Sequence, residues 1–181
     1  AYVDESFDWT VVSAGLHHCR SPHRALLELY RVARRGVLAI ESRDSALMRA
    51  AIRAGVIDEY ELEAVAANSF EAGGVRNTAI PNYVYRWTER EVEKTIASYA
   101  PHSRHELVWF HKLELPLSIF EVCSGDRRRR LARALRALQP AARGVARLFP
   151  SQANLFGFAI LKLDGRAVDE VSDAAETRLP L

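Results

Sequence analysis

An α/β fold is predicted by the order of elements at the start of this 181-residue chain. The mostly apolar run of residues 8–14, rich in β-branched side chains, is typical of a buried strand. A second apolar run, residues 37–40, follows an intervening helical pattern. Strand, helix and strand within about 35 residues form a βαβ unit, so we expect the two strands to pair in parallel.

The helix between these strands has a recognisable start and end. Ser21 can cap its N-terminus, and Pro22 suits the first helical position. Apolar residues then recur at helical spacing, at Leu26, Leu29, Tyr30 and Ala33. Gly36 is the predicted stop, because glycine readily ends a helix.

Further helices are predicted in the middle of the chain. The Ala-, Glu- and Leu-rich stretch of residues 44–72 predicts one or two of them. Thr88 and Glu91 have the spacing of a capping box for a later helix, which is predicted to end near Tyr99.

Two more strands are predicted in the second half, at residues 106–115 and 154–163. The arginine-rich segment between them, about residues 125–148, is predicted to be helical and to break at Pro140. The polar tail of residues 166–181 is expected to fray.

Composition narrows the class of protein. The chain is 49% hydrophobic and 27% charged, which is ordinary for one globular domain. Its net charge of +2 is too small to imply a polyanionic partner by itself. Two cysteines cannot build a disulfide framework or a four-cysteine metal site. No apolar run approaches the roughly 20 residues of a membrane span and no secretory signal opens the chain, so we expect a cytoplasmic protein.

The most specific motif lies at the very start. An acidic turn, residues 4–8, leads into the first strand, which ends in small residues followed by Leu16, His17 and His18. The second strand then ends at Glu41. This order resembles the middle of a class I S-adenosylmethionine-dependent methyltransferase. One departure is Arg34-Arg35-Gly36, which stands where that family usually shows Pro-Gly-Gly.

The resemblance implies a Rossmann-like sheet whose seventh strand is antiparallel. The strands here would be the fourth to seventh, so residues 1–165 are expected to be the carboxyl-terminal portion of such a domain. Residues 44–87 would be a helical lid insertion, and residues 116–153 an excursion longer than the family's usual hairpin. The glycine-rich donor loop would lie upstream of Ala1. We therefore expect an incomplete chain, inactive alone, that binds S-adenosylmethionine weakly or not at all.

The donor-binding candidates are the residues that leave the first strand, because ligands of open α/β sheets bind beyond the carboxyl ends of strands. The resemblance places the amino acid and sulfonium end of S-adenosylmethionine against Ser13, Ala14, Gly15 and Leu16. The alternative is that Ala14-Gly15 merely allows a tight turn from strand to helix.

Three residues are candidates for catalysis. His17 or His18 could accept a proton or contact substrate, because an imidazole titrates near neutral pH. Glu41 could face the pocket as a base or substrate contact. Alternatively, Glu41 and Arg43 pair with each other at the surface.

The candidate substrate-binding residues are Arg43, Asn82, Tyr83 and Tyr85. Aromatic side chains in the region of the lid could wall a pocket for a flat or apolar acceptor. The alternation of Tyr83, Tyr85 and Trp87 is equally typical of an extended segment that packs on a core.

Two other kinds of site are not predicted. A metal site from His17, His18, Cys19 and His23 is not expected, because adjacent residues rarely point at one ion. The arginine-rich residues 127–147 could meet a polyanion, but more often such a helix is simply solvated. We expect neither a nucleic-acid partner nor a membrane span, and the oligomeric state is left open.

The predicted function is methyl transfer from S-adenosylmethionine to a small-molecule acceptor. One alternative is an inactive methyltransferase-like domain that binds a partner. Another is a nicotinamide-dependent oxidoreductase on a similar sheet, which would carry a catalytic Tyr and Lys pair on one helix; we find no convincing pair of this kind.

Overall fold

The computed structural model describes residues 2–55, 57–113, 133, 136–141, 144 and 147–163. The strands are β1 (Phe7–Ser13), β2 (Ala33–Ser42), β3 (His105–Lys112) and β4 (Leu155–Lys162). The helices are α1 (Pro22–Val32), α2 (Ala46–Arg53), α3 (Leu62–Ala67) and α4 (Glu89–Tyr99). Short 3-10 turns cover Leu16–His18, Val75–Asn77 and Pro150–Gln152. The predicted tail lies outside the described residues.

The four strands form one mixed sheet in the order β1-β2-β4-β3. β1 and β2 are parallel, with Val11 opposite Leu38. β4 runs antiparallel to both of its neighbours. The predicted α/β class, the parallel first pair and the antiparallel last strand are therefore confirmed. β3 consequently runs in the same direction as β1 and β2.

The core lies on one face of this sheet. Helices α1 and α4 cover that face with Leu26, Tyr30, Val92 and Ile96, which pack with Trp87, Val37, Phe156, Phe158 and Ile160. Alternate residues on the opposite face are open to solvent: Val11 is 69% exposed and Ile40 is 47% exposed. The first two strands were predicted to be buried. This prediction was wrong for the sheet face opposite the helices, where Val11 and Ile40 are exposed.

Gly36 lies inside β2, so the predicted role of this glycine as a helix stop was wrong. Helix α1 ends at Val32, and β2 begins at the next residue. A Cβ atom on Gly36 would lie 2.7 Å from the Trp9 ring and 2.5 Å from the Ile160 carbonyl oxygen. Close packing on both sides therefore requires glycine here. Ala33, which was predicted to be in the helix, is the first residue of β2, because it pairs with the neighbouring strand.

The predicted helix starts are largely confirmed. Ser21 accepts a hydrogen bond from the Arg24 N–H, and Thr88 accepts one from the Glu91 N–H. The Glu91 carboxylate does not reach back to Thr88; it binds Tyr85 and His23 instead. The stretch predicted as one or two helices holds α2 and α3. Among the described helices, none is both long enough and apolar enough to cross a membrane.

The break predicted at Pro140 is absent from the part of this segment that the structure describes. Residues 136–141 are helical, and Pro140 lies among them. A proline loses one backbone hydrogen bond in a helix, yet neighbouring residues can keep helical dihedral angles around it. The rest of the arginine-rich segment lies mainly outside the described residues.

An ion-pair cluster joins the carboxyl end of β2 to α4 and β3. The Arg43 guanidinium donates to both Glu89 carboxylate oxygens, at 2.7 and 2.8 Å. His111 Nε2 lies 2.7 Å from Glu89 Oε1. Burial alone would raise the pKa of Glu89, but the contacts with His111 and Arg43 outweigh it, so this pKa lies below its ordinary value.

We predict that Glu89→Gln lowers the free energy of unfolding by about 2 kcal/mol at neutral pH, because charged hydrogen bonds to Arg43 are lost. A lowered folded-state pKa gives stability that is present above the unfolded-state value of about 4.3 and is lost as pH falls through the folded-state value. Urea unfolding of both proteins from about pH 7 to pH 3 should show the difference shrinking below about pH 4.

Glu93→Gln is the matched control, since Glu93 is an exposed carboxylate on the same helix. It should leave stability within about 0.5 kcal/mol of wild type. A Glu89→Gln difference that stays constant across the whole pH series would contradict the assigned role of Glu89.

Candidate functional site

The loop that leaves β1 carries backbone strain at one residue. Ala14 has φ of +47°, a left-handed conformation that costs a non-glycine residue about 1 kcal/mol. Its N–H donates to the Ile40 carbonyl oxygen at 2.8 Å, which holds the chain in this turn. Gly15 has φ of −120°, and glycine is needed there for space. A Cβ atom on Gly15 would lie 2.9 Å from Val12 Cγ2.

Glu41 holds this loop from the end of the neighbouring strand. Its Oε1 accepts hydrogen bonds from the Gly15 and Leu16 N–H groups, both at 3.0 Å. The side chain is fully buried. Both sequence interpretations of Glu41 were therefore wrong: it is not open to a substrate, and it does not pair with Arg43 at the surface. A carboxylate that binds two buried N–H groups is a structural contact.

His17 is buried between two carboxylates. Its side chain is 6% exposed, and neither ring nitrogen makes a hydrogen bond. Nδ1 lies 3.8 Å from Glu41 Oε2, and Nε2 lies 3.7 Å from Glu61 Oε2. The Glu41 carboxylate raises the pKa of His17; burial opposes this, and Glu61 reinforces it.

Glu61 comes from a distant part of the chain and completes a polar cluster with the histidine pair. Its N–H donates to the Asn82 carbonyl oxygen at 2.8 Å, which fixes the start of α3 beside residue 82. His18 Nε2 lies 3.4 Å from Glu61 Oε2, and His18 Nδ1 lies 2.8 Å from Asn82 Nδ2. The rings of His17 and His18 lie side by side, with centroids 4.3 Å apart. Sequence reasoning missed Glu61, because no motif marks it.

A cleft of about 640 Å³ opens beside this cluster. Its wall includes His17, His18, Arg20, Asn82, Tyr83 and Tyr85. The structure thus brings three of the four predicted substrate-binding residues to one cavity. A second, mainly apolar groove of about 500 Å³ lies between β1 and α1 and reaches Gly15 and Leu16. Gly15 and Leu16 thus border the groove, whereas Ser13 and Ala14 line neither of these two cavities.

Two predicted site residues are structural. Arg43 is 7% exposed, and its guanidinium is held by Glu89 and the Ser151 carbonyl oxygen, so a substrate-binding role was wrong. The Leu16 side chain is 1% exposed and belongs to the core, so it cannot face a donor as predicted. The backbone of Leu16 still borders the groove.

The three aromatic residues Tyr83, Tyr85 and Trp87 lie partly at the cleft and partly in the core. Trp87 is fully buried, whereas Tyr83 is 48% exposed at the cleft. The Tyr85 hydroxyl donates to the Glu91 carboxylate, which also contacts His23 Nε2 at 3.1 Å. Burial and then Glu91 raise the pKa of Tyr85, so its hydroxyl keeps its proton. Trp87 thus packs in the core, and Tyr83 and Tyr85 border the cleft, where contact with an acceptor stays a prediction.

We predict that Glu41→Ala lowers the free energy of unfolding by about 3 kcal/mol or more, because two buried N–H groups lose their acceptor. Glu41→Gln keeps one carbonyl oxygen for those N–H groups and should cost less. Chemical unfolding of the three proteins measures both effects. Equal stability of Glu41→Ala and wild type would show that the loop does not depend on this contact.

Comparisons with known proteins give loose structural likenesses. The BH2331 protein of Bacillus halodurans is 15% identical, with a TM-score of 0.41, and the match covers 89% of this chain and 64% of that one. A Thermotoga maritima protein described as a "SAM-dependent methyltransferase, possible histamine N-methyltransferase" is 14% identical, with a TM-score of 0.42 and coverage of 88% and 58%. The YcgJ protein of Bacillus subtilis is 14% identical, with a TM-score of 0.43 and coverage of 91% and 67%. No curated protein matches the chain.

The family evidence lies at the start of the chain. The chain spans less than two thirds of the first two of these structures, and at such identities and TM-scores none of the three carries weight here. Residues 1–40 match the family model described as "Methyltransferase domain". This stretch holds β1, the strand-end loop, α1 and most of β2. The predicted resemblance to a methyltransferase is thus confirmed over residues 1–40.

Proposed function

We propose that the protein is an S-adenosylmethionine-dependent methyltransferase that acts on a small-molecule acceptor. One observation carries the proposal: the loop of residues 13–16 follows the carboxyl end of a parallel strand, and its Gly15 and Leu16 border an apolar groove. Ligands of open α/β sheets bind at this edge. The match of residues 1–40 to the methyltransferase-domain family supports the choice of reaction.

The residues present fit the end of the donor that carries the methyl group. Ser13 and Ala14 are small and exposed, so a ligand can approach the backbone closely. Glu41 and the Ile40 carbonyl oxygen hold the loop in one conformation before any ligand arrives. S-adenosylmethionine, when bound, supplies a methyl group on a positively charged sulfur. The task of this loop is to position that group and to exclude water from it.

The cleft beside His17 and His18 suits an acceptor. Tyr83 and Tyr85 supply apolar ring surface, and His18 and Asn82 supply polar atoms that can orient one functional group. A volume of about 640 Å³ is in the range of small-molecule sites. Residues 44–87 supply Asn82, Tyr83 and Tyr85, which supports their role as a lid. Proton removal by His17 or His18 stays a prediction.

The loop can be tested even if binding is weak. In amide nitrogen–proton NMR spectra, titration with S-adenosylhomocysteine should shift the signals of residues 13–17 in a saturable way. Ser13→Trp places a bulky ring where the donor should lie, so it should weaken binding at least about tenfold. Because Ser13 is exposed, the thermal unfolding midpoint should stay unchanged.

Ser103→Trp is the matched control. Ser103 is also exposed, but it precedes β3 and so lies at the opposite edge of the sheet. Its variant should bind the donor analogue like wild type. An absence of shifts at residues 13–17 would favour the inactive binding domain. Shifts produced by NADH instead of the donor analogue would favour the oxidoreductase.

A further inference from the structure

We propose that His17, His18 and Glu61 form a site for a divalent transition-metal ion of the zinc type. Each side chain offers one ligand atom, and these three atoms lie within 4.8 Å of one another. Two imidazoles and one carboxylate are a donor set that zinc accepts, with a further position left for water or substrate. This site goes beyond the proposed methyl transfer and does not depend on it.

The distances suit one ion with one rearrangement: the Asn82 amide turns over, so that its oxygen accepts from His18 Nδ1–H and His18 Nε2 is left to bind the ion. Ligand atoms on a tetrahedral ion with bonds of about 2.0–2.1 Å lie about 3.4 Å apart. Glu61 Oε2 lies 3.4 Å from His18 Nε2 and 3.7 Å from His17 Nε2. Both distances exceed an ordinary hydrogen bond. Glu61 Oε2 also accepts a long hydrogen bond from Asn82 Nδ2, at 3.5 Å, which an ion would displace.

A second observation, independent of the distances, points to a bound ion: the buried ring of His17 has no hydrogen-bond partner. Its side chain is 94% buried, yet neither ring nitrogen has a hydrogen-bond partner. Buried polar groups are nearly always satisfied, so an unpartnered imidazole requires an explanation. Its Nε2 faces Glu61, and a metal ion bound between them would satisfy that nitrogen.

Glu41 completes the arrangement behind His17. Its Oε2 is buried without a hydrogen bond and lies 3.8 Å from His17 Nδ1. Metal-binding histidines commonly donate their second ring N–H to a carboxylate, which fixes the ring and raises the basicity of the ligand nitrogen. Glu41 is placed to do this while its other oxygen holds the loop.

Charge also favours a divalent cation. Two carboxylates, Glu41 and Glu61, lie beside His17, and the Glu41 side chain is fully buried. A buried carboxylate is costly without a nearby positive charge, so a cation bound at this site would offset part of that cost.

The structure removes the objection that adjacent histidines rarely share an ion. His17 and His18 occupy one 3-10 turn, which places their rings side by side. The third ligand comes from the start of α3, where residues 59–61 pair with residues 82–84. The site faces the cleft, so a metal ion there could bind an oxygen atom of the acceptor.

The test uses the intact chain after dialysis against a chelator. Calorimetric titration with Zn²⁺ alone should show one equivalent bound with micromolar affinity or better. Co²⁺ should give the visible absorption of a four-coordinate ion without a sulfur-to-cobalt band. His18→Ala and Glu61→Gln should each weaken Zn²⁺ binding more than about tenfold, and Glu41→Gln by about 10-fold to 100-fold.

His18 and Glu61 are partly exposed, so their variants should fold, and thermal unfolding will verify this. His102→Ala and Glu93→Gln remove an exposed histidine and an exposed carboxylate elsewhere, and they should bind Zn²⁺ like wild type. No binding, equal binding by the His18 and Glu61 variants, or a sulfur-to-cobalt band would each overturn the site. The donor titration above is separate, so the two proposals can fail independently.

Discussion

The buried carboxylate of Glu41 is the contact on which the site depends. One oxygen binds the Gly15 and Leu16 N–H groups, and the other faces His17. The same side chain therefore sets both the path of the strand-end loop and the surroundings of the histidine pair. A carboxylate in a dry interior is costly without partners. Glu41, the strand-end loop and His17 must therefore reach their positions together as the protein folds. This explains why the loop can hold a strained residue at Ala14.

Parallel pairing of β1 and β2 makes this contact possible. Their carboxyl ends lie at one edge of the sheet, so Glu41 at the end of β2 comes next to the loop after β1. Two residues after Glu41, just past the end of β2, Arg43 binds Glu89 on α4. Glu41 and Arg43 therefore have different roles. Glu41 holds the loop beside the cleft, and Arg43 binds the helix that covers the core.

The two proposals concern different groups of atoms around one loop. A methyl donor would meet the small, exposed residues 13 and 14, whereas a metal ion would meet the rings of His17 and His18. The histidines lie on the 3-10 turn Leu16–His18, which begins two residues after Ala14. A metal ion there would hold an acceptor oxygen in the cleft. Such positioning is what methyl transfer requires of a protein.

The sequence alone determined the α/β class, the parallel first pair, the antiparallel last strand and the start of the main helices. These follow from local periodicity and capping residues, which are visible in short windows, and from the motif of residues 1–40. Tertiary structure decided that Gly36 lies in a strand, that Glu41 and Arg43 are buried contacts, and that Glu61 meets the histidine pair. Each of these depends on contacts between residues more than 20 positions apart in the chain, and a local sequence pattern contains no information about such contacts.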